Sequence, residues 1–213
     1  MEKPFLSCVK RWESQHKIQS EYLKIVIYKY IFLYIKGRGW YRLSTVIGDC
    51  IRYIVHWELC SSMTSDDVSR TIDKAIEKAG VTFQNPPCLL SDNKLCYIVS
   101  SLKQYLCKEY NIKHIHDKPI HPQTQGKIER YYRSMKNVIK LNHYFCPSEL
   151  EKAIDRWVDY YNEKRFHESL DNLTPKDVYL GQVEKIKKIR EFIKQKSINK
   201  RIFDNKTMKY QSK

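Results

Sequence analysis

The chain has 213 residues, 42% of them apolar, and a formal net charge of +15 at pH 7. This apolar content is enough for one well-packed domain plus an extension, and it excludes global disorder. The positive charge favours a polyanionic partner, with nucleic acid the first candidate and an acidic membrane surface the second. The seven cysteines are an odd number without a Cys-x-x-Cys pair, which favours a reducing cytoplasm over disulfides or structural zinc.

The strongest apolar run is "YLKIVIYKYIFLYI", residues 22–35. It is too short to span a bilayer and carries two lysines, so its Ile, Val, Tyr and Phe content predicts a buried strand. Apolar segments at roughly 25–36, 40–47 and 51–59 are separated by "KGRG" and "GDC". Because these separators suit tight turns, the segments predict a three-stranded antiparallel meander.

Helices and strands alternate after this meander. A helix capped by Ser65 or Thr64 is followed by a strand in "PPCLLSDN", a helix at about 98–109 and a strand in "IKHIH". Two further helices follow the loop "DKPIHPQTQG" and the Pro147-Ser148 pair. The order predicts an α/β fold, a mixed sheet covered by helices. We expect an irregular lead-in over 1–24, a core over 25–181 and a basic helical tail over 182–213.

Two carboxylates stand at positions where chemistry is expected. Asp92 ends a predicted strand, and Glu129 lies in the first turns of a predicted helix. A strand end and a helix start can converge at one rim of a sheet, and two carboxylates there favour Mg²⁺ or Mn²⁺ between them. Arg133 and Lys136 share the helix face of Glu129 and suit phosphate contacts. Spacing alone favours an ordinary exposed helical pair of Glu129 with Arg133.

Three motifs together carry a resemblance to a known family. "HPQTQGKIERYYRSMKNVI", with "LLSDN" before it and "YNEKRFHESLDNLTPKDVYLG" after it, resembles the integrase core of bacterial insertion-sequence transposases. These are relatives of retroviral integrases with a ribonuclease-H-like fold, and the likeness runs from about residue 28 to 181. The resemblance implies DNA integration by an Asp, Asp, Glu triad with two magnesium ions. It makes Asp92 the second acid and Glu129 the third, with 36 residues between them, one more than is usual.

The first acid of the triad is missing from its expected position. The family carries this Asp on the first strand, and the matching position here is Ile31, placed by the following Tyr34-Ile35-Lys36. An isoleucine cannot bind a metal ion, so we expect little or no catalysis from this chain, and we interpret it as a truncated, degenerate copy. Asp49 is the nearest alternative acid, but a turn-forming role beside Gly48 is the favoured interpretation.

The resemblance also implies the partners. We expect the chain to bind DNA as a homo-oligomer in the cytoplasm, and we expect no membrane among its partners. The candidate DNA-binding residues are His121, Gln123, Gln125, Lys127, Arg133, Lys136 and Lys140. The segment "DYYNEKRFHESL", with Tyr161, Asn162, Arg165 and His167, is expected to order a loop against the core rather than to act in catalysis.

Two classes of function remain open from the sequence. The first is metal-dependent DNA end cleavage and strand transfer, impaired by the loss of the first acid. The second is a non-catalytic remnant that binds DNA or joins assemblies of intact transposase. Metal dependence separates them, because the enzyme requires Mg²⁺ or Mn²⁺ for turnover whereas a basic DNA-binding protein requires only low salt.

Overall fold

The structure, a computed structural model, describes residues 25–27, 30–79, 86, 88–91, 100–116 and 122–211. The strands are β1 (Ile25–Ile27), β2 (Ile31–Ile35), β3 (Gly39–Gly48), β4 (Ile54–Cys60), β5 (Cys88–Ser91) and β6 (Lys113–His116). The α-helices are α1 (Ser65–Ala79), α2 (Ser100–Tyr110), α3 (Pro122–Ile139), α4 (Pro147–Asp159), α5 (Pro175–Tyr179) and α6 (Val183–Gln211). A π-helical turn (Tyr160–Lys164) continues α4, and a 3-10 turn (Glu168–Leu170) follows it.

The strands form one mixed sheet. β1 and β2 both pair antiparallel with β3. β1 pairs with the end of β3 and β2 with its start, so the two strands lie one after the other along the same side of β3. β4 pairs antiparallel with the other side of β3, while β1, β5 and β6 pair parallel. The order across the sheet is therefore β4, β3, the β1 and β2 row, β5 and β6. The predicted meander is confirmed, and its first segment contains two described strands, β1 and β2.

Helices bury apolar residues on both faces of the sheet. One core combines Val46 and Leu89 of the sheet with the apolar face of α1. The other core combines Leu43 and Ile47 with α3 and α4. The odd and even positions of β3 thus serve opposite cores, as the alternation of a pleated strand requires.

A capping box begins α1. Thr64 Oγ1 accepts a hydrogen bond from the backbone N–H of Asp67 (3.3 Å), and Asp67 Oδ2 accepts one from the N–H of Thr64 (3.0 Å). Asp67 also accepts hydrogen bonds from Ser62 and Arg70. Burial alone would raise the pKa of Asp67, but these hydrogen bonds outweigh burial and lower it to about 2. Of the two predicted caps, Thr64 is the one that the structure uses.

We predict that Asp67→Asn lowers the free energy of unfolding by about 1–2 kcal/mol at neutral pH, because the cap and the Arg70 ion pair are both weakened. The folded-state pKa lies below the ordinary value of 3.8, so the native contribution is present above pH 4 and is lost as the pH falls towards 2. Urea unfolding at pH 7 and near pH 2 measures this. Asp66→Asn, in the same helical turn, is the control and should cost only a few tenths of a kcal/mol. Equal costs for the two variants at pH 7 would contradict the prediction.

The end of α4 is tied to the sheet by Asn162. The side-chain Oδ1 of Asn162 accepts a hydrogen bond from the Ile54 N–H (2.9 Å), and its Nδ2 donates to the Ile54 carbonyl (3.0 Å). The pairing of β3 with β4 shifts register at this point, between Val46 and Ile47. Asn162 therefore satisfies both backbone groups of Ile54 beside a β-bulge.

The basic tail forms the single helix α6. Its first turns pack on the core through Val183 and Ile186, and Arg190 donates hydrogen bonds to the carbonyls of Asp171 and Asn172. Later apolar residues, such as Phe192 and Phe203, are exposed. Within the described ranges, no helix has the length and apolar character needed to cross a membrane.

Candidate active site and a basic pocket

The orientation of α3 decides which of its polar residues can act together. Its buried residues, Ile128, Tyr131, Tyr132, Met135 and Ile139, hold one side of the helix against the sheet. Successive residues are about 100° apart around a helix, so two polar flanks remain on either side of this apolar stripe. Glu129 lies on one flank and Lys127 on the other.

The Glu129 flank carries a row of cations. Arg133, Lys136 and Lys140 follow Glu129 by four, seven and eleven residues, which places all four on one flank of the helix. Glu129, Arg133 and Lys140 are exposed, and Lys136 is half-buried. Burial lowers the pKa of Lys136, and the neighbouring Lys140 charge adds to this effect. An anion beside this flank would stabilise the charge on Lys136.

Ile31 lies on the sheet face that α3 covers. Its side chain is 7% exposed and belongs to the same apolar core as Ile128, the residue before Glu129. The parallel ladder between β1 and β5 pairs Ile25 with Leu89 and Val26 with Leu90, so Ile31 lies five residues beyond this ladder. The position shares a face with α3, but its side chain has no atom that can bind a metal ion.

The other residues predicted for this site are placed only in part. Asp92 and His121 lie outside the described residues, while Gln123 and Gln125 lie in the first turn of α3. In the part of the chain that the structure describes, no three His, Cys, Asp or Glu side chains are grouped so as to hold a metal ion. Of the two predicted metal ligands, Glu129 is the one that the structure describes, and its exposed carboxylate suits a hard cation.

Lys127 does not share the flank of Arg133 and Lys136. It lies two residues before Glu129, about 200° around the helix, and its Nζ forms an ion pair with Asp49 Oδ1 at 2.9 Å. DNA binding by Lys127 stays a prediction, but the residue lies on a different flank of α3 from the row of Arg133, Lys136 and Lys140. The same ion pair holds Asp49 on the Lys127 flank. This position argues against Asp49 as a replacement for the first acid beside Glu129.

A basic pocket lies on the Lys127 flank. This cavity of about 360 Å³ is lined by residues from the turn before β4, from α3 and from the segment after α4. We call it the arginine pocket, and its basic side chains are Arg52, Lys127, Arg130, Arg165 and His167. Arg52 adopts a left-handed backbone conformation (φ 59°) in its turn.

Aromatic rings hold two side chains of the arginine pocket in place. The Arg165 guanidinium lies over the rings of Tyr161 (5.6 Å) and Trp157 (6.0 Å), and His167 packs edge-to-face on Tyr161 (4.9 Å). Burial, followed by the charges of Arg165 and Arg52, lowers the pKa of His167 to about 4. His167 is therefore neutral at physiological pH, and its Nε2 atom is buried without a hydrogen-bond partner among the described residues.

Sequence patterns do not predict this pocket. Arg52 and Arg130 belong to no predicted site, and Arg165 and His167 are predicted only to order a loop. Three separate chain segments, around 52, 127–134 and 161–169, converge here, so no spacing within one motif can indicate the cluster. The one local indication is the position of Arg130, about 120° around α3 from Lys136.

Comparison with known proteins decides the family. The integrase core domain matches this chain over residues 29–122 and again over residues 110–175, and the two matches together cover more than half of it. The chain belongs to the integrase core domain family. It is a transposase- or integrase-type protein of the Asp, Asp, Glu class, and the resemblance drawn from its motifs is confirmed.

Individual relatives agree with this assignment. The transposase for insertion sequence element IS904 of Lactococcus lactis is 26% identical over 128 residues, which are 59% of this chain and 49% of that protein. This integrase-type chain thus spans about half the length of the curated relative. The catalytic core of BIV integrase superposes with a TM-score of 0.56 at 21% identity, over 75% of this chain and 96% of that one. The HTLV-2 integrase core, solved in complex with magnesium, gives a TM-score of 0.55 at 18% identity, over 72% and 94%. These superpositions confirm the ribonuclease-H-like fold.

Proposed function

We propose that this integrase-type chain derives from a transposase that cuts and joins DNA, and that its own joining activity is low because Ile31 replaces the first acid. The observation that carries this proposal is the joint position of Ile31 and α3. A buried isoleucine lies on the sheet face covered by the helix that presents Glu129. An integrase core with an apolar side chain there keeps the fold and the substrate surface but lacks one ligand.

The donor chemistry fits a divalent metal only partly. Glu129 offers exposed carboxylate oxygens, Asp92 is proposed as the second ligand, and Ile31 offers none. When bound, Mg²⁺ or Mn²⁺ stabilises charge on the attacking and leaving oxygens of a phosphodiester. Arg133 and Lys136 would hold the DNA backbone along the same flank, so that the scissile phosphate lies near Glu129.

A non-catalytic DNA-binding protein is the second candidate function. The apolar environment of Ile31 and the formal charge of +15 both favour it. Such a chain would bind DNA, or assemble with intact relatives, without a metal ion. For either function we propose that the chain consists of a lead-in, a core and a basic tail. We also propose that it binds DNA as a homo-oligomer.

Joining of a labelled DNA end to target DNA in Mn²⁺ tests the proposed function. The sequence of the end is taken from the DNA that flanks the gene. We expect the native chain to show no joining above background and Ile31→Asp to show joining at least tenfold above it. Adding Glu129→Gln to Ile31→Asp should return the signal to background, because a second ligand is then lost.

Each result of this assay has a distinct meaning. Joining by the native chain that Glu129→Gln abolishes would show that another acid replaces the first ligand, and the assignment of Ile31 would be wrong. If Ile31→Asp binds DNA and folds but does not join ends, the non-catalytic candidate is favoured. Glu151→Gln, an exposed carboxylate of α4, is the matched control and should leave joining by Ile31→Asp unchanged.

A further inference from the structure

The described lining of the arginine pocket holds more positive than negative charge. Four cations line it beside one carboxylate, Glu168, and the nearby Asp49 is paired with Lys127. Arg165 is held by aromatic rings, which orient the guanidinium without neutralising it. An anion of matching size would therefore be attracted to this cavity.

The buried groups of the pocket point to the same kind of ligand. Burial lowers the pKa of Arg52, and the charge of Arg130 adds to that effect. Arg52 is half-buried in the lining, so its charge has lost part of its hydration. The guanidinium groups present forked donors that match phosphate oxygens, and the buried His167 Nε2 adds a polar atom without a described partner.

The position of the pocket beside α3 indicates that the phosphate it binds belongs to a DNA backbone. Lys127, which lines the pocket, lies about 200° around α3 from Glu129, while Arg130, which also lines it, lies between the two flanks. The two flanks are separated by about the width of a helix with its side chains, roughly 10–12 Å. Phosphates of one duplex lie on both sides of a groove of about this width.

We propose that the arginine pocket is a second DNA contact, which binds a backbone phosphate on the flank of α3 opposite Glu129. This inference rests on the proposed function, because it takes DNA as the substrate. The contact positions DNA and reads no bases, since phosphate contacts fix register and orientation. It requires no metal ion, so it can be measured apart from catalysis.

Fluorescence anisotropy with a short labelled duplex of arbitrary sequence, in EDTA, tests this contact. The variants are Arg52→Gln, Arg130→Gln and the double variant. We expect the double variant to lose roughly tenfold in affinity at low salt, and the slope of log K against log salt to fall by about one for each arginine removed. Lys78→Gln/Lys152→Gln removes the same charge from exposed positions on α1 and α4. It should change the affinity by less than about twofold and leave the slope unchanged.

Folding of the variants is checked by thermal unfolding. If Arg52→Gln fails to fold, the exposed Arg130 carries the test alone, with Arg130→Glu as a charge reversal and Arg130→Lys as a partial rescue. The proposal is overturned if the arginine variants match the lysine control, or if the native chain does not bind DNA in EDTA. Failure of the proposed function has a different signature, because Ile31→Asp would then not join ends while the metal-free contact through Arg52 and Arg130 persists.

Discussion

Replacement of Ile31 by Asp lowers the free energy of unfolding by roughly 3–5 kcal/mol at neutral pH in metal-free buffer. The native side chain is 7% exposed and packs in the core between the sheet, α3 and α4. A carboxylate at this position loses its hydration and most of the apolar contacts, and the described residues of this core cluster are uncharged, so none of them balances its charge. Urea unfolding of the two proteins in EDTA measures the difference.

The cost of Ile31→Asp depends on pH in a direction that follows from burial. Burial disfavours the charged form, so the pKa of the introduced carboxyl is higher in the folded than in the unfolded chain. The folded chain then binds more protons than the unfolded chain, and the variant loses stability as the pH rises above about 4. Ile31→Asn has nearly the same shape without the charge, and its cost should not vary between about pH 4 and 7. A pH-independent cost for Ile31→Asp would show that position 31 is open to water.

Asn162→Ala lowers the free energy of unfolding by about 2–5 kcal/mol. The substitution leaves the N–H and the carbonyl of Ile54 without their partners in a buried place, and each such group costs about 1–3 kcal/mol. Ile54 is 1% exposed, so water cannot easily replace the lost hydrogen bonds. Chemical denaturation measures the loss.

An asparagine outside the core provides the control for this prediction. Asn142 lies in the exposed turn after α3, and Asn142→Ala should change stability by less than about 0.5 kcal/mol. Asn162→Asp keeps the acceptor for the Ile54 N–H but turns a carboxylate oxygen towards the Ile54 carbonyl, so it should be at least as destabilising as Asn162→Ala. A small effect of both Asn162 variants would mean that water reaches the bulge.

Periodicity is sufficient to predict most of the fold. The apolar residues Leu150, Ile154, Trp157 and Val158 of α4 are buried because an apolar repeat close to 3.6 residues can face only one way. The Gly-containing turn "KGRG" likewise places the hairpin between β2 and β3, where Gly37 and Gly39 take positive φ values. These features depend on neighbours along the chain, which the sequence contains directly.

Features that depend on distant segments are not predictable in this way. The one-residue offset between the pairings of β1 and β2 with β3, and the bulge near Ile54, are features of strand register that no local pattern encodes. The arginine pocket arises from the packing of α3 against the segment after α4. The position of Lys127 on a different flank from Glu129 could, in contrast, be predicted from the sequence. Each residue of a helix turns by about 100°, so two residues place Lys127 about 200° from Glu129.

The proposed function assigns Ile31 to the position of a metal-binding acid, in one site with Glu129. Thermal unfolding of native chain, Ile31→Asp and Ile31→Asp/Glu129→Gln across a Mn²⁺ titration tests this without requiring activity. A metal ion that binds only the folded state stabilises it in proportion to its occupancy. We expect Mn²⁺ to raise the Tm of Ile31→Asp by several degrees more than that of the native chain, and Glu129→Gln to remove most of this gain. Equal Mn²⁺ effects on native chain and Ile31→Asp would contradict the assignment and place the first acid elsewhere.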